Sequence, residues 1–158
     1  MIENGIRKIL LIGIGNEYCS DDRIGLEVVH QIRNKQFPSV IVKEESGEGA
    51  ALMEAWQGFQ DVIIVDAVLS GAKPGTIFRI DTTKETVPTK FFHYSTHAFS
   101  VAEAIELARA MKTLPPELLI YGIEGADFSA GVSISHVVQE SAKQVVKQIL
   151  KKVKAVSR

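Results

Sequence analysis

Cysteine occurs once in the 158 residues, at Cys19, so no internal disulfide can form. The chain must hold together by its core, and a reducing, cytoplasmic setting is expected. No apolar run approaches the roughly 18–20 residues needed to cross a bilayer. The opening residues Met1-Ile2-Glu3-Asn4-Gly5 lack the basic and apolar regions of a signal peptide. Charge of one sign is also missing: 18 Lys and Arg against 19 Asp and Glu give a net charge of −1. That balance excludes the basic footprint of a nucleic-acid or anionic-membrane partner. There is no G-x-x-x-x-G-K-[ST] phosphate loop, no G-x-S-x-G nucleophile elbow, no internal repeat and no low-complexity linker. What is present is a hydrophobic content of 46%, enough for a sizeable core, and residues 1–158 read as one α/β domain.

The most informative stretch runs from Ile9 to Gly25. A continuous apolar run, Ile9-Leu10-Leu11-Ile12, ends in Gly13 and Gly15. Small and polar residues, the adjacent carboxylates Asp21 and Asp22, and a helix-period pattern through Ile24, Val28 and Ile32 follow. A buried parallel strand over Arg7 to Ile14 is expected, then a sharp turn and a helix ending before Pro38. Ser20, Asp21 or Asp22 is expected to cap that helix. A dinucleotide fingerprint fails here. Tyr18 stands where the third glycine belongs, and two carboxylates would repel a pyrophosphate.

Further strands are expected at Ser39 to Lys43, Asp61 to Val68, Thr76 to Ile80 and Leu118 to Ile123. Helices are expected at Ala50 to Trp56, from about His97 to Met111, and from about Ser135 to Val153. Ser95 or Thr96 would cap the helix that begins at about His97. The turn Lys73-Pro74-Gly75 leaves no room for a crossover helix, so the strand after it is expected to be antiparallel and at an edge. Residues 44–49 and 81–96 read as loops, the first acidic and flexible, the second polar and irregular. The class is a three-layer α/β/α arrangement around a twisted, mostly parallel five-stranded sheet.

In such sheets, ligands sit at the carboxyl ends of the strands, where neighbouring strands diverge in their connections. Asp22 follows the first strand, Asp66 ends the third, and His97 follows the long loop. Two carboxylates and an imidazole suit a divalent metal such as nickel, zinc or manganese and leave coordination positions open. Each has a plainer reading: Asp21 and Asp22 as helix caps, Asp66 in a strand-end turn, His97 as an ordinary solvated or core histidine. His30 and His136 read as surface helix residues. Cys19 lies beside carboxylates that disfavour a thiolate nucleophile.

The motifs resemble the hydrogenase maturation endopeptidases, peptidase family M52. Gly13-Ile14-Gly15-Asn16, then Asp21-Asp22 and Gly25, resembles their amino-terminal motif. Val65-Asp66-Ala67, Pro74-Gly75-Thr76, Ser95-Thr96-His97, Gly122-Ile123-Glu124, and the group Gly131, Ser133, Ile134 and Ser135 resemble the motifs that follow, in order. Two departures stand out: Arg23 occupies a position that is often glycine, and Gly125 one that is usually proline. The resemblance implies an endopeptidase, of aspartic or metal-dependent type, acting on a [NiFe] hydrogenase large-subunit precursor. It would remove a C-terminal extension after nickel insertion. Asp22, Asp66 and His97 would be the catalytic and metal-binding residues. Nickel would be supplied by the substrate, with zinc or cadmium able to substitute, and the protein would act as a cytoplasmic monomer. Competing readings are a non-cleaving assembly chaperone that binds the metal-loaded precursor, and a small-molecule hydrolase with a resident metal.

Overall fold

The computed structural model describes residues 2–3, 5–92, 97–131 and 133–156. In chain order the elements are β1 (Ile2–Glu3), β2 (Ile6–Arg7), β3 (Ile9–Ile14), α1 (Ile24–Arg33), β4 (Val40–Glu45), α2 (Gly49–Ala55) and β5 (Asp61–Val68). They continue with β6 (Ile77–Asp81), α3 (Val101–Ala110), β7 (Glu117–Glu124) and α4 (His136–Val156). The main sheet has five strands in the order β4-β3-β5-β7-β6. All neighbours are parallel except β6, which lies antiparallel on β7 at the edge. The expected architecture and the odd strand are both present.

The two sheet faces follow from the alternation of side chains along each strand. Ile9, Leu11, Ile63, Val65 and Tyr121 share one core with residues of α1 and α4. Leu10, Ile12, Val62, Ile64 and Ile120 share the other with residues of α2 and α3. Leu10, Leu11, Ile12, Ile63 and Ile64 are fully buried. Each such side chain contributes about 1.5–3 kcal/mol over exposure. β5 is central, covered on both faces, and buried at every position.

Several boundaries differ from expectation. Arg7 belongs to a short antiparallel ribbon with β1, and the main strand starts at Ile9. Asp21 and Asp22 lie in a 3-10 turn, Ser20–Arg23, ahead of α1, and neither caps it: the residue at the α1 N-cap is Arg23. α3 starts at Val101, not near His97. There the Glu103 carboxylate accepts hydrogen bonds from the Ser100 hydroxyl at 2.8 Å and the Ser100 N–H at 3.3 Å. This capping pair sets the start of the helix. The alternative caps, Ser95 and Thr96, lie outside the described residues. The 81–96 connection is less polar than its composition suggests. A 3-10 turn, Thr89–Phe92, buries Phe91 and Phe92, and Val87 joins them in the core.

Candidate functional site

The first half of the site is set by how closely α1 approaches the sheet. A Cβ at Gly25 would strike the carbonyl oxygens of Ile14 and Val65, and one at Gly13 would lie 2.6 Å from the carbonyl of Gly25. At Gly15 a Cβ would collide with the Asp22 carbonyl. The glycines thus let the turn after β3 fold back over the strand ends, bringing Asp22 to the carboxyl edge of β3 and β5.

Asp21 faces the other way. It is fully buried, and its carboxylate accepts hydrogen bonds from the N–H groups of Ala126 (2.7 Å), Asp127 (2.9 Å) and Ser135 (2.7 Å) and from the Ser135 hydroxyl (2.8 Å). The Ser20 N–H donates to the Gly131 carbonyl, and the Gly131 N–H to that of Tyr18. Asp21 therefore ties the turn after β3 to the loop after β7, a role no local reading of the sequence contains.

Asp66 lies near the end of β5, opposite Gly122 of β7, and is 2% exposed. Withdrawing a carboxylate this far from water costs several kcal/mol unless its surroundings compensate. His97 comes from the segment before α3. The Gly49 N–H donates to the Phe99 carbonyl at 2.9 Å, and the Phe99 ring occupies the space a Cβ on Gly49 would need. That contact holds the segment against the start of α2. The Glu48 carboxyl there is held below its usual range, first by the Ala50 and Ala51 N–H groups and also by the charge of His97.

Asp22, Asp66 and His97 all line one open cleft of about 880 Å³. Its other walls include Tyr18, Cys19, Leu26, Phe128 and the carboxylates Glu17, Glu44 and Glu45. The cleft is therefore rich in acid, with His97 the one basic side chain among the described residues that line it. The three expected site residues share this cavity. Among the described residues, however, no group of three His, Cys, Asp or Glu side chains is arranged to hold a metal ion.

The acidic loop is more ordered in its roles than its composition implied. Glu44 and Glu45 belong to β4. Glu44 meets His30 at 2.6 Å and Arg33 at 3.4 Å, and the His30 contact chiefly holds its carboxyl low. Partial burial pushes the Glu45 carboxyl up. Glu48 caps α2.

Two buried acids had no role assigned from the sequence. Glu124, 1% exposed, accepts from the Ser70 N–H and hydroxyl and from the Gly71 N–H, clamping the turn between β5 and β6. Asp61 sits at the opposite end of β5 from the cleft, 2.8 Å from Arg7 and 3.9 Å from Lys152. Burial, then the neighbouring Glu117 carboxyl, pushes its carboxyl up to about 6. Its placement at the start of a strand was visible in the sequence, but its partners from β2, β7 and α4 were not.

The HycI hydrogenase maturation protease family model matches residues 26–152. The chain belongs to the hydrogenase maturation protease family. The match includes Asp66 and His97 and begins just after Asp22. The hydrogenase 2 maturation protease of Escherichia coli is 24% identical over 147 residues, 90% of this chain and 88% of its own length. The hydrogenase expression/formation protein HoxM of Azotobacter vinelandii is 30% identical over 120 residues, 73% of this chain and 57% of its own. Among solved structures, the hydrogenase maturating endopeptidase HybD from Escherichia coli has a TM-score of 0.77 at 20% identity, covering 94% of this chain and 93% of that one. A solution structure of an endopeptidase from Escherichia coli gives 0.80 at 22% identity, with the same coverage. These likenesses show the fold, and family membership makes the chain a protease. No helix among the described residues is long and apolar enough to cross a membrane.

Proposed function

We propose that this protease removes the C-terminal extension of a [NiFe] hydrogenase large-subunit precursor after nickel has been inserted. The observation that carries this reading is the convergence of Asp22, Asp66 and His97 on one open cleft at the carboxyl edge of the sheet. The donor set, two carboxylates and an imidazole, has the right chemistry for nickel or for zinc or cadmium in its place. The three are not assembled into a ligand group on their own. The nickel, held by its thiolates in the substrate, would complete the assembly by drawing the three side chains into its open coordination positions.

The chemistry then follows from placement. A metal anchored between substrate and cleft fixes the scissile peptide and polarises its carbonyl for attack by water. Asp66 lies in the driest part of the cleft, where its charge acts through a low effective dielectric. A second version keeps nickel as a recognition check and gives the water's proton to a carboxylate. The raised Glu45 and the buried Asp66 both line the same wall system and supply candidate bases. Replacing nickel by zinc or cadmium separates the two. A polarising metal changes the cleavage rate with its Lewis acidity, whereas a checkpoint metal either permits cleavage at one rate or prevents it.

The test is precursor mass after incubation with the protein and with Asp22→Asn, Asp66→Asn and His97→Gln. Loss of a C-terminal peptide with the unaltered protein, abolished in all three folded variants, is expected. A stable complex with no change in mass would mean a non-cleaving chaperone. Full cleavage by the Asp66→Asn variant would remove that residue from the mechanism.

A further inference from the structure

Beside the main cleft lies a smaller groove of about 270 Å³, lined by Glu17, Tyr18, Arg23, Leu26, Glu27 and His30. It shares the walls Glu17, Tyr18 and Leu26 with the cleft. Most of its charged groups are engaged. His30 is held by Glu44 at 2.6 Å, the Glu27 carboxylate accepts from the Gln31 amide at 3.4 Å, and Glu17 holds the Tyr18 hydroxyl. Arg23 is different. Its Nε is buried and finds no hydrogen-bond partner among the described residues.

An arginine here is not explained by the helix it precedes. Arg23 occupies the N-cap of α1 without a capping side-chain bond. A cation at that end opposes the helix dipole, where an acid would be favoured. A buried guanidinium N–H left without an acceptor is costly, and a carboxylate is the group that satisfies it best, in a charge-assisted and often paired bond. Tyr18, 68% exposed, stands as an aromatic wall between cleft and groove.

We propose that Arg23 is a specificity-determining residue that receives a carboxylate of the peptide lying across the cleft. That carboxylate is either an acidic side chain near the scissile bond or the terminal carboxylate of the extension. The groove shares the Tyr18 wall with the cleft that Asp22 lines. The inference rests on the protease reading above, but its test reads binding and not cleavage.

The probes are acetyl-Gly-Ala-Glu-Ala-amide with its Gln counterpart, and acetyl-Gly-Ala-Ala-Ala as free acid and as amide, each titrated into the ¹⁵N-labelled full chain. The Arg23 Nε–H resonance is expected to shift with an acid and not with its uncharged counterpart. Affinity is expected to fall about tenfold in Arg23→Gln and to recover partly in Arg23→Lys. Response to the Glu peptide assigns a side-chain carboxylate, and response to the free acid assigns the terminus. Equal binding of acid and amide, unchanged affinity in Arg23→Gln, or no binding of either acid overturns the inference while leaving the cleavage reading to its own test.

Discussion

Asp21 and Asp22 are neighbours in the chain with opposite fates. Asp21 is fully buried and accepts four hydrogen bonds from the loop after β7, while Asp22 lines the open cleft. Asp21 fixes the turn from which Asp22 projects, so one acid of the pair holds the turn and the other lines the cleft.

Asp21→Ala is therefore expected to cost about 3 kcal/mol or more, because it strands buried donors that now share a charged acceptor. Asp22→Asn is expected to change stability by less than about 1 kcal/mol. Urea denaturation of both variants measures the contrast. Equal destabilisation would mean that the two acids share the structural role.

The approach of α1 to the sheet gives a second expectation. Gly25→Ala places a methyl group against the carbonyls of Ile14 and Val65, where backbone and not a flexible side chain must yield. A loss of roughly 2–4 kcal/mol is expected, with activity falling beyond the loss of folded protein because Asp22 moves with the helix. A Gly25→Ala variant of unaltered stability would contradict the packing described.

Asp66→Asn should retain the fold, since the replacement keeps shape and removes charge from a buried position. Processing of the precursor is expected to fall by about a thousandfold or more, the scale of losing a group whose charge acts in a dry site. Circular dichroism and precursor mass together check both halves.

Asp61 provides a pH signature at the far end of the sheet. Its carboxyl is raised from 3.8 to about 6, chiefly by burial and then by the neighbouring Glu117 carboxyl. A raised acid binds its proton more tightly in the folded state. Its contribution to stability is present below about pH 4 and lost as pH rises through about 6. Glu117, held low mainly by the same Asp61 contact, contributes in the opposite direction. Asp61→Asn should therefore gain stability relative to the unaltered protein between pH 5 and 7, by about 1–2 kcal/mol. A difference that stays flat across that range would contradict the raised carboxyl.

Much of this fold is written in local pattern. The apolar run of β5 and its bounds, Asp61–Val68, follow from composition alone, and that placed Asp66 at a strand end. The Pro74-Gly75 turn was enough to make β6 antiparallel. α3 starts later than Ser95 and Thr96 suggest because the Ser100–Glu103 pair is the stronger capping signal. Phe91 and Phe92 were hidden by the polar residues around them. Asp21 could not be read locally at all: its partners lie 105 to 114 residues further along the chain. The same holds for Asp61, whose environment is assembled from three other elements.

The central claim is that cleavage waits for the metal in the substrate. The direct measurement is the mass of a [NiFe] hydrogenase large-subunit precursor after incubation with the purified protein, once nickel-loaded and once nickel-free. Loss of the C-terminal peptide from the nickel-loaded form alone is the predicted result. Equal cleavage of both forms would contradict it, because Asp22, Asp66 and His97 would then act without a metal to meet.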